Sequence, residues 1–192
     1  MEPKPITLQG RHVRLEPMNT DHLVGLQTAA AHPEMWTWTF PGADPSAIEA
    51  WLHAGIEKQA AGTEFPFTTL NADGTAVIGA TRFMEIDRAH KRLEIGNTWI
   101  DPAHQRTPVN TEAKLLMMEH AFEVLGCNRV QFKTHHRNEA SRRAILRIGA
   151  VQEGILRYYM IHSDGTRRDS VVFSVLTEEW PEVKPKLLEK LS

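Results

Sequence analysis

A single cysteine, Cys127, in a chain of 192 residues leaves no partner for an internal disulfide. It also leaves no cysteine–histidine spacing of the kind that holds structural zinc. No stretch reaches the roughly 20 apolar residues of a membrane span, and Met1–Gly10 lacks the apolar run of a secretory signal. There is no internal repeat, no low-complexity tract and no Pro/Gly/Ser-rich linker. The dinucleotide, Walker and Gly-x-Ser-x-Gly fingerprints are missing as well. Ten histidines are present, but none forms His-x-x-x-His. His135 and His136 are adjacent at a strand end and are expected to point oppositely, so no metal site is expected. What these absences leave is one cytoplasmic domain spanning residues 1–192, with no membrane partner.

Hydrophobic residues at 41 % and charged residues at 24 % are ordinary for a soluble globular chain. The net charge of −2 hides an asymmetry. Between Asn128 and Arg168 nine Lys/Arg face only Glu139, Glu153 and Asp164. Such an excess suits a small anionic ligand, a nucleic acid or merely a solvated face.

Periodicity predicts a strand at Arg11–Glu16, with Val13 and Leu15 on one face, and a helix over Thr20–Ala31 stopped by Pro33. Glu34–Pro41 reads as irregular. Asp44 caps a helix whose first residue is Pro45, and Ile48, Trp51, Leu52, Gly55 and Ile56 recur at helical spacing. Three strands follow, at Glu64–Leu70, Ala76–Glu85 and Arg92–Ile100, with turns at Asp73-Gly74 and Asp87-Arg88. After a loop, Asp101–Val109, a helix apolar over a wide arc runs from about Asn110 to Leu125, with Gly126 as its left-handed cap. A strand at Arg129–Thr134 and a helix from Asn138 to Gly149 come next. A hairpin of Ile155–Ile161 and Asp169–Leu176, turning at Ser163-Asp164-Gly165, completes the pattern. The order β-α-α-β-β-β-α-β-α-β-β implies an α/β (α+β) fold, with a mixed, mostly antiparallel sheet of about seven strands flanked by helices.

Three stretches carry a family resemblance beyond this order. From Asn110 to Gly154 lie Thr111-Glu112-Ala113-Lys114, Leu125-Gly126-Cys127-Asn128-Arg129-Val130, Asn138-Glu139-Ala140-Ser141 and Ile148-Gly149-Ala150. Leu93-Glu94-Ile95-Gly96 is the second stretch, and Leu176-Thr177-Glu178-Glu179-Trp180-Pro181 is the third. Together they span about half the chain and resemble the RimJ/RimL-like branch of the GNAT N-acetyltransferases.

The resemblance implies transfer of an acetyl group from acetyl-CoA to a primary amine, on a small molecule or a peptide N-terminus. It implies that Trp99, Ile100, Gln105, Arg106, Thr107, Val109, Asn110, Thr111, Asn138 and Ser141 hold the coenzyme. Members of the superfamily carry a Q/R-x-x-G-x-G/A loop, whose backbone N–H groups meet the diphosphate at a helix N-terminus. Here the aligned stretch is Gln105-Arg106-Thr107-Pro108-Val109-Asn110, which keeps the first position and neither glycine. Arg106 and Thr107 are then expected to replace backbone donors with side-chain contacts, and Asn110 to cap the helix. Lys114 reads as an ordinary exposed helix residue.

Acetyl transfer needs a neutral amine, and Glu94 is the candidate base. The competing reading of Glu94 is a solvent-facing glutamate paired with Arg82 or Arg92. Asn138 and Ser141 are placed by the resemblance beside the pantetheine arm and its sulfur. The superfamily's usual tyrosine acid is replaced by Ile145, so the proton for the thiolate falls to Ser141, water, or one of the two tyrosines, Tyr158 and Tyr159. Trp36, Trp38 and Phe40 lie where the family edges its acceptor cleft, and are read either as substrate contacts or as core.

A catalytically silent acyl-CoA-binding protein is the alternative function, suggested by the missing glycines and tyrosine. A nucleic-acid binder is disfavoured, because the basic stretch holds no recognised module. Trp180–Leu191 is open to packing on its own chain or on a second copy as a homodimer.

Overall fold

The computed structural model describes residues 1–162 and 165–192. Eight strands form one sheet: β1 (Leu8–Gln9), β2 (Val13–Pro17), β3 (Phe65–Asn71), β4 (Val77–Asp87), β5 (Arg92–Ile100), β6 (Arg129–His135), β7 (Val151–Ile161) and β8 (Arg167–Leu176). Their order across the sheet is β1-β2-β3-β4-β5-β6-β8-β7. Every neighbouring pair is antiparallel except β5 and β6, which are parallel.

The helices cover both faces. Helices α1 (Leu23–Ala30) and α2 (Pro45–Ala60) pack Leu26, Ala29, Ala30, Ile48, Trp51 and Leu52 against Met18, Ala80 and Trp99 on one side. Helices α3 (Pro108–Glu119), α4 (Glu139–Arg147) and α5 (Trp180–Glu189) enclose the larger core of Phe67, Phe83, Phe132, Phe173 and Met117 on the other. Trp180, Val183 and Leu187 of α5 are buried in that core, and the Trp180 indole N–H donates to Glu123 at 2.7 Å. The C-terminal segment therefore packs on its own chain.

From β2 to β8 the order of strands and α-helices matches the expectation, helix α5 adds a final element that was not expected, and the boundary corrections have local causes. Strand β1 raises the count from about seven to eight. It is held because the Glu112 carboxylate of α3 accepts the backbone N–H groups of Arg11, His12 and Val13 at 2.9, 2.6 and 3.0 Å. Nothing in the hydrophobic pattern encodes that clamp. The helix expected over Thr20–Ala31 divides into a 3-10 turn, Thr20–His22, and α1. Asn19 and His22 close that turn reciprocally in a capping box. Pro33–Trp36 forms a further 3-10 turn where irregular chain was expected.

Helix α3 starts at Pro108, not Asn110, and its cap is Thr107, whose Oγ1 accepts the Val109 N–H at 3.4 Å. A wide π-helical turn, His120–Val124, ends it, and Gly126 follows with φ +66°. Of the expected hairpin turn, Ser163 and Asp164 lie outside the described residues. The strands flanking it are longer than the alternation suggested.

Two departures from regular pairing open the sheet. Strands β5 and β6 bond only from Arg92–Arg129 through Glu94–Gln131. Beyond Glu94, strand β5 turns away. An extra residue shifts its pairing with β4 between Ala80–Trp99 and Arg82–Gly96, and Asn97 within that bulge takes a left-handed φ of +48°. Asparagine tolerates this conformation better than most side chains, and a bulge re-aims the strand that carries it. The far end of β5 stays pinned to β4, where a Cβ on Gly79 would stand 2.3 Å from the Trp99 carbonyl oxygen. Only glycine permits that approach.

Candidate active site

The divergence of β5 from β6 leaves a groove of about 1120 Å³, walled by both strands, the N-termini of α3 and α4, the β7–β8 hairpin and the loop after α1. At its vertex sits Glu94. It is 3 % exposed, accepts from the Gln131 side-chain amide at 3.0 Å and pairs with Lys133 Nζ at 3.0 Å. Burial pushes its carboxyl above the ordinary carboxylate range, and the Lys133 charge and Gln131 hydrogen bond offset only part of this. The solvent-facing reading fails: Arg82 pairs with Glu64 at 2.7 Å and Arg92 with Asp87 at 3.0 Å. Lys133 also donates to the Tyr159 hydroxyl at 2.6 Å. Burial opposes its charge, yet Glu94 and Tyr159 hold its pKa above the usual value.

The helix end of the groove is formed by Gln105–Asn110. Gln105 donates its side-chain amide to the Ile100 carbonyl at 2.9 Å, bracing the loop on the end of β5. Arg106 adopts φ +60°, a left-handed conformation that glycine usually supplies, and its exposed side chain lines the groove. Pro108 occupies the first helical position, where its missing N–H would have had no intrahelical partner anyway. It is exposed and does not line the groove. Thr107 lines the groove and is also the helix cap. Its hydroxyl donates to the His104 carbonyl at 2.7 Å while its oxygen accepts from Val109. Asn110 is corrected from cap to third helical residue. It lines the groove, and its buried Oδ1 has no hydrogen-bond partner.

Asn138 caps α4 by accepting the Ser141 N–H at 3.0 Å, and both residues line the groove. Ile145 is buried in the core cluster while also reaching the groove wall. Of the two tyrosines, Tyr159 lies in the groove. Tyr158, with φ +52°, turns outward under Arg167.

The groove therefore collects Glu94, Trp99, Ile100, Gln105, Arg106, Thr107, Asn110, Asn138 and Ser141, together with Trp38 and Phe40. Three expected residues stand outside its lining. Val109 is 6 % exposed in the apolar core. Thr111 is 2 % exposed and receives the Arg147 guanidinium on its hydroxyl at 2.7 Å. Trp36 packs edge-on against Trp99 at 5.4 Å and donates its indole N–H to the Ala30 carbonyl at 3.0 Å, so it supports the wall from behind. In each case the helical or loop phase turns the side chain away from the opening.

His135 and His136 do not point oppositely. The chain leaves the strand between them, and their rings stack at 4.7 Å, with Trp38 at 4.6 Å from His135 on the groove side.

The residue the sequence reading missed is Lys114. It is 5 % exposed rather than exposed, and its ammonium donates to the hydroxyls of Thr98 at 2.6 Å and Thr81 at 3.1 Å on the groove floor. No carboxylate lies within ion-pair distance among the described residues, and burial alone lowers its pKa to about 7. The available signal was positional: Lys114 lies three residues from Thr111 and Met117 and four from Met118, on the buried arc of α3.

Residues 12–151 match the model of the acetyltransferase (GNAT) domain family. The chain is 34 % identical to a GCN5-related N-acetyltransferase from Brucella melitensis, whose crystal structure superposes with a TM-score of 0.92 over 100 % of this chain and 88 % of that one. It is 35 % identical over 104 residues to the uncharacterized N-acetyltransferase YoaA of Bacillus subtilis strain 168, a match spanning 54 % of this chain and 58 % of that protein. RimJ of Mycobacterium smegmatis, solved in complex with CoA-disulfide, shares the fold at a TM-score of 0.81 and 18 % identity, over 98 % of this chain and 95 % of that one.

Proposed function

The chain belongs to the GNAT acetyltransferase family, and from that premise we propose that it moves the acetyl group of acetyl-CoA onto a primary amine. The reading rests chiefly on one observation: a buried carboxylate with raised pKa, Glu94, stands at the vertex where β5 and β6 part, in a groove whose other end is a helix N-terminus.

The residues present fit a coenzyme that carries a diphosphate on a long neutral arm. Charge comes from Arg106 on the loop and Arg147 on α4, both lining the groove, and the α3 N-terminus adds its dipole. The unpartnered Asn110 Oδ1 and the free edges of β5 and β6 beyond Glu94 offer polar groups to an amide-bearing arm. When bound, acetyl-CoA supplies an activated acetyl group whose C–S bond breaks as the new C–N bond forms.

The chain's own residues manage protons and position. The Glu94 carboxylate takes a proton from the incoming ammonium, directly or through one water, leaving a lone pair to attack. Its raised pKa makes it a better acceptor than an ordinary carboxylate, while the Lys133 charge offsets part of the cost of its burial. The Ser141 hydroxyl, at the groove face of α4, returns a proton to the departing thiolate. That demand is modest, since a thiol pKa of about 8.5 makes the thiolate a tolerable leaving group.

Arg106 and the left-handed loop replace the glycines of the family loop, so a merely silent acyl-CoA binder is the weaker reading. Such a protein would have no use for Glu94 buried at the vertex. The motifs from Asn110 to Gly154 favour the RimJ/RimL-like branch. Steady-state assay of acetyl-CoA with an amine panel tests the proposal; binding of acetyl-CoA without acetylation of any amine would leave the silent reading standing.

A further inference from the structure

The strand end of the groove carries more positive charge than its chemistry requires. Across the whole lining, Arg106, Lys114, Lys133, Arg143, Arg147 and Arg168 face only Glu34, Glu85 and Glu94. Lys133 is already matched by Glu94. Arg168, on β8, is not matched. It forms no ion pair among the described residues, its half-buried guanidinium has Nε buried without a hydrogen-bond partner, and burial lowers its pKa despite the nearby charge of Glu94.

Two residues along the same strand, Ser170 is 0 % exposed and its hydroxyl also has no partner, although it lines the groove. The neighbouring acid, Asp169, is spent on the Tyr158 N–H at 2.8 Å. His135, pushed down to about 4 by burial and by the charges of His136 and Arg168, stays neutral at pH 7 and adds no further positive charge there.

An arginine held partly out of water without an anion is costly, and so is a buried hydroxyl without a partner. Planar guanidinium recognises carboxylate by two parallel hydrogen bonds, which would repay both costs at once. Trp38, Phe40 and Tyr159 frame the same region with flat apolar surface. Resting on the transferase reading, we infer that the acceptor is a small amino carboxylate, whose carboxylate is taken by Arg168 and Ser170 while its amine faces Glu94. Cationic amines such as polyamines suit the groove less well, since its lining sets six Lys/Arg against only Glu34, Glu85 and Glu94 and repels further positive charge.

The test is a matched acceptor panel: α-amino acids, ω-amino acids of increasing length, the amide and methyl ester of each, and a polyamine. Wild type is compared with Arg168→Met and Arg168→Lys, with acetyl-CoA affinity measured separately by calorimetry. We expect at least one amino carboxylate to exceed its own amide and ester by tenfold or more in kcat/KM. Arg168→Met should erase that preference through KM while donor affinity holds, and Arg168→Lys should restore part of it. Equal turnover of acid and amide, preference for the polyamine, or equal loss on every acceptor in Arg168→Met would overturn the inference while leaving acetyl transfer intact. Absence of acetyl-CoA binding would strike the transferase reading instead. In that case calorimetry of the same acids and amides with the protein alone decides whether Arg168 takes a carboxylate.

Discussion

The two ends of the groove solve the same problem, holding charge in partly buried surroundings, in different ways. At the vertex and strand end, charge is held by side chains from separate elements: Glu94 of β5, Gln131 and Lys133 of β6, Tyr159 of β7. At the helix end the backbone dominates, with a helix N-terminus and a left-handed Arg106, and on the floor beneath it a lysine donates to the hydroxyls of Thr81 and Thr98. Glu94 has a counter-ion, which offsets part of the cost of its burial. Lys114 has none and is half-discharged near neutral pH. Pairing offsets part of the burial cost at Glu94, whereas nothing offsets it at Lys114, whose charge makes the fold sensitive to pH above neutrality.

The largest effect expected from this contrast is on Lys114. Its pKa falls from the ordinary 10.5 to about 7 in the folded state, so folding sheds a proton between those values. The penalty of burying its charge is fully present below about pH 7 and fades as pH rises toward 10.5. Lys114→Met should therefore raise unfolding free energy at pH 7 by up to about 4 kcal/mol, with the gain shrinking toward pH 10. Chemical denaturation across that range checks this, and a pH-independent difference would show that Lys114 is not the group responsible.

Next in size, Glu94→Gln should lower kcat about 100-fold with acetyl-CoA affinity unchanged. In wild type kcat/KM should fall as pH drops through the raised carboxyl pKa, because the base must be deprotonated. A flat profile in both proteins would remove Glu94 as base and with it the distinction between the ends. Arg106→Ala should weaken acetyl-CoA binding by about 1–2 kcal/mol without altering acceptor KM, a split that a defect at the strand end cannot mimic. Smallest is a control outside both ends. Gly126→Ala should cost about 1 kcal/mol of stability, since φ +66° strains any side chain even though no atom lies within 4 Å of the added Cβ, and binding should be untouched.

Much of this arrangement is legible in the amino-acid sequence. The meander, the long apolar helix, the Gly126 cap and the Asp44–Pro45 helix start all follow from local chemistry, which is why their places agree. Glu94 stands out only through the resemblance of Leu93-Glu94-Ile95-Gly96 to the family; that the β5–β6 ladder ends there is visible only in the fold. The rest depended on contacts between distant residues. The clamp of Glu112 on Arg11–Val13 spans about 100 residues, and no periodicity announces it. Thr107 rather than Asn110 caps α3 because Pro108 could already begin the helix, an option that a loop aligned on missing glycines conceals. Trp36 and Trp38 are near neighbours in sequence, yet one braces the core and the other faces the groove. Lys114 was misread because its charge was weighed above its phase on the helix.

The account rests on the helix end still holding a diphosphate without glycines. Calorimetric titration with acetyl-CoA, set against S-acetylpantetheine, which lacks the diphosphate, measures this directly. One-to-one binding of acetyl-CoA that far exceeds S-acetylpantetheine, and that loses most of its advantage in Arg106→Ala, is the predicted result. Equal weak affinity for the two compounds, or none for either, would contradict it.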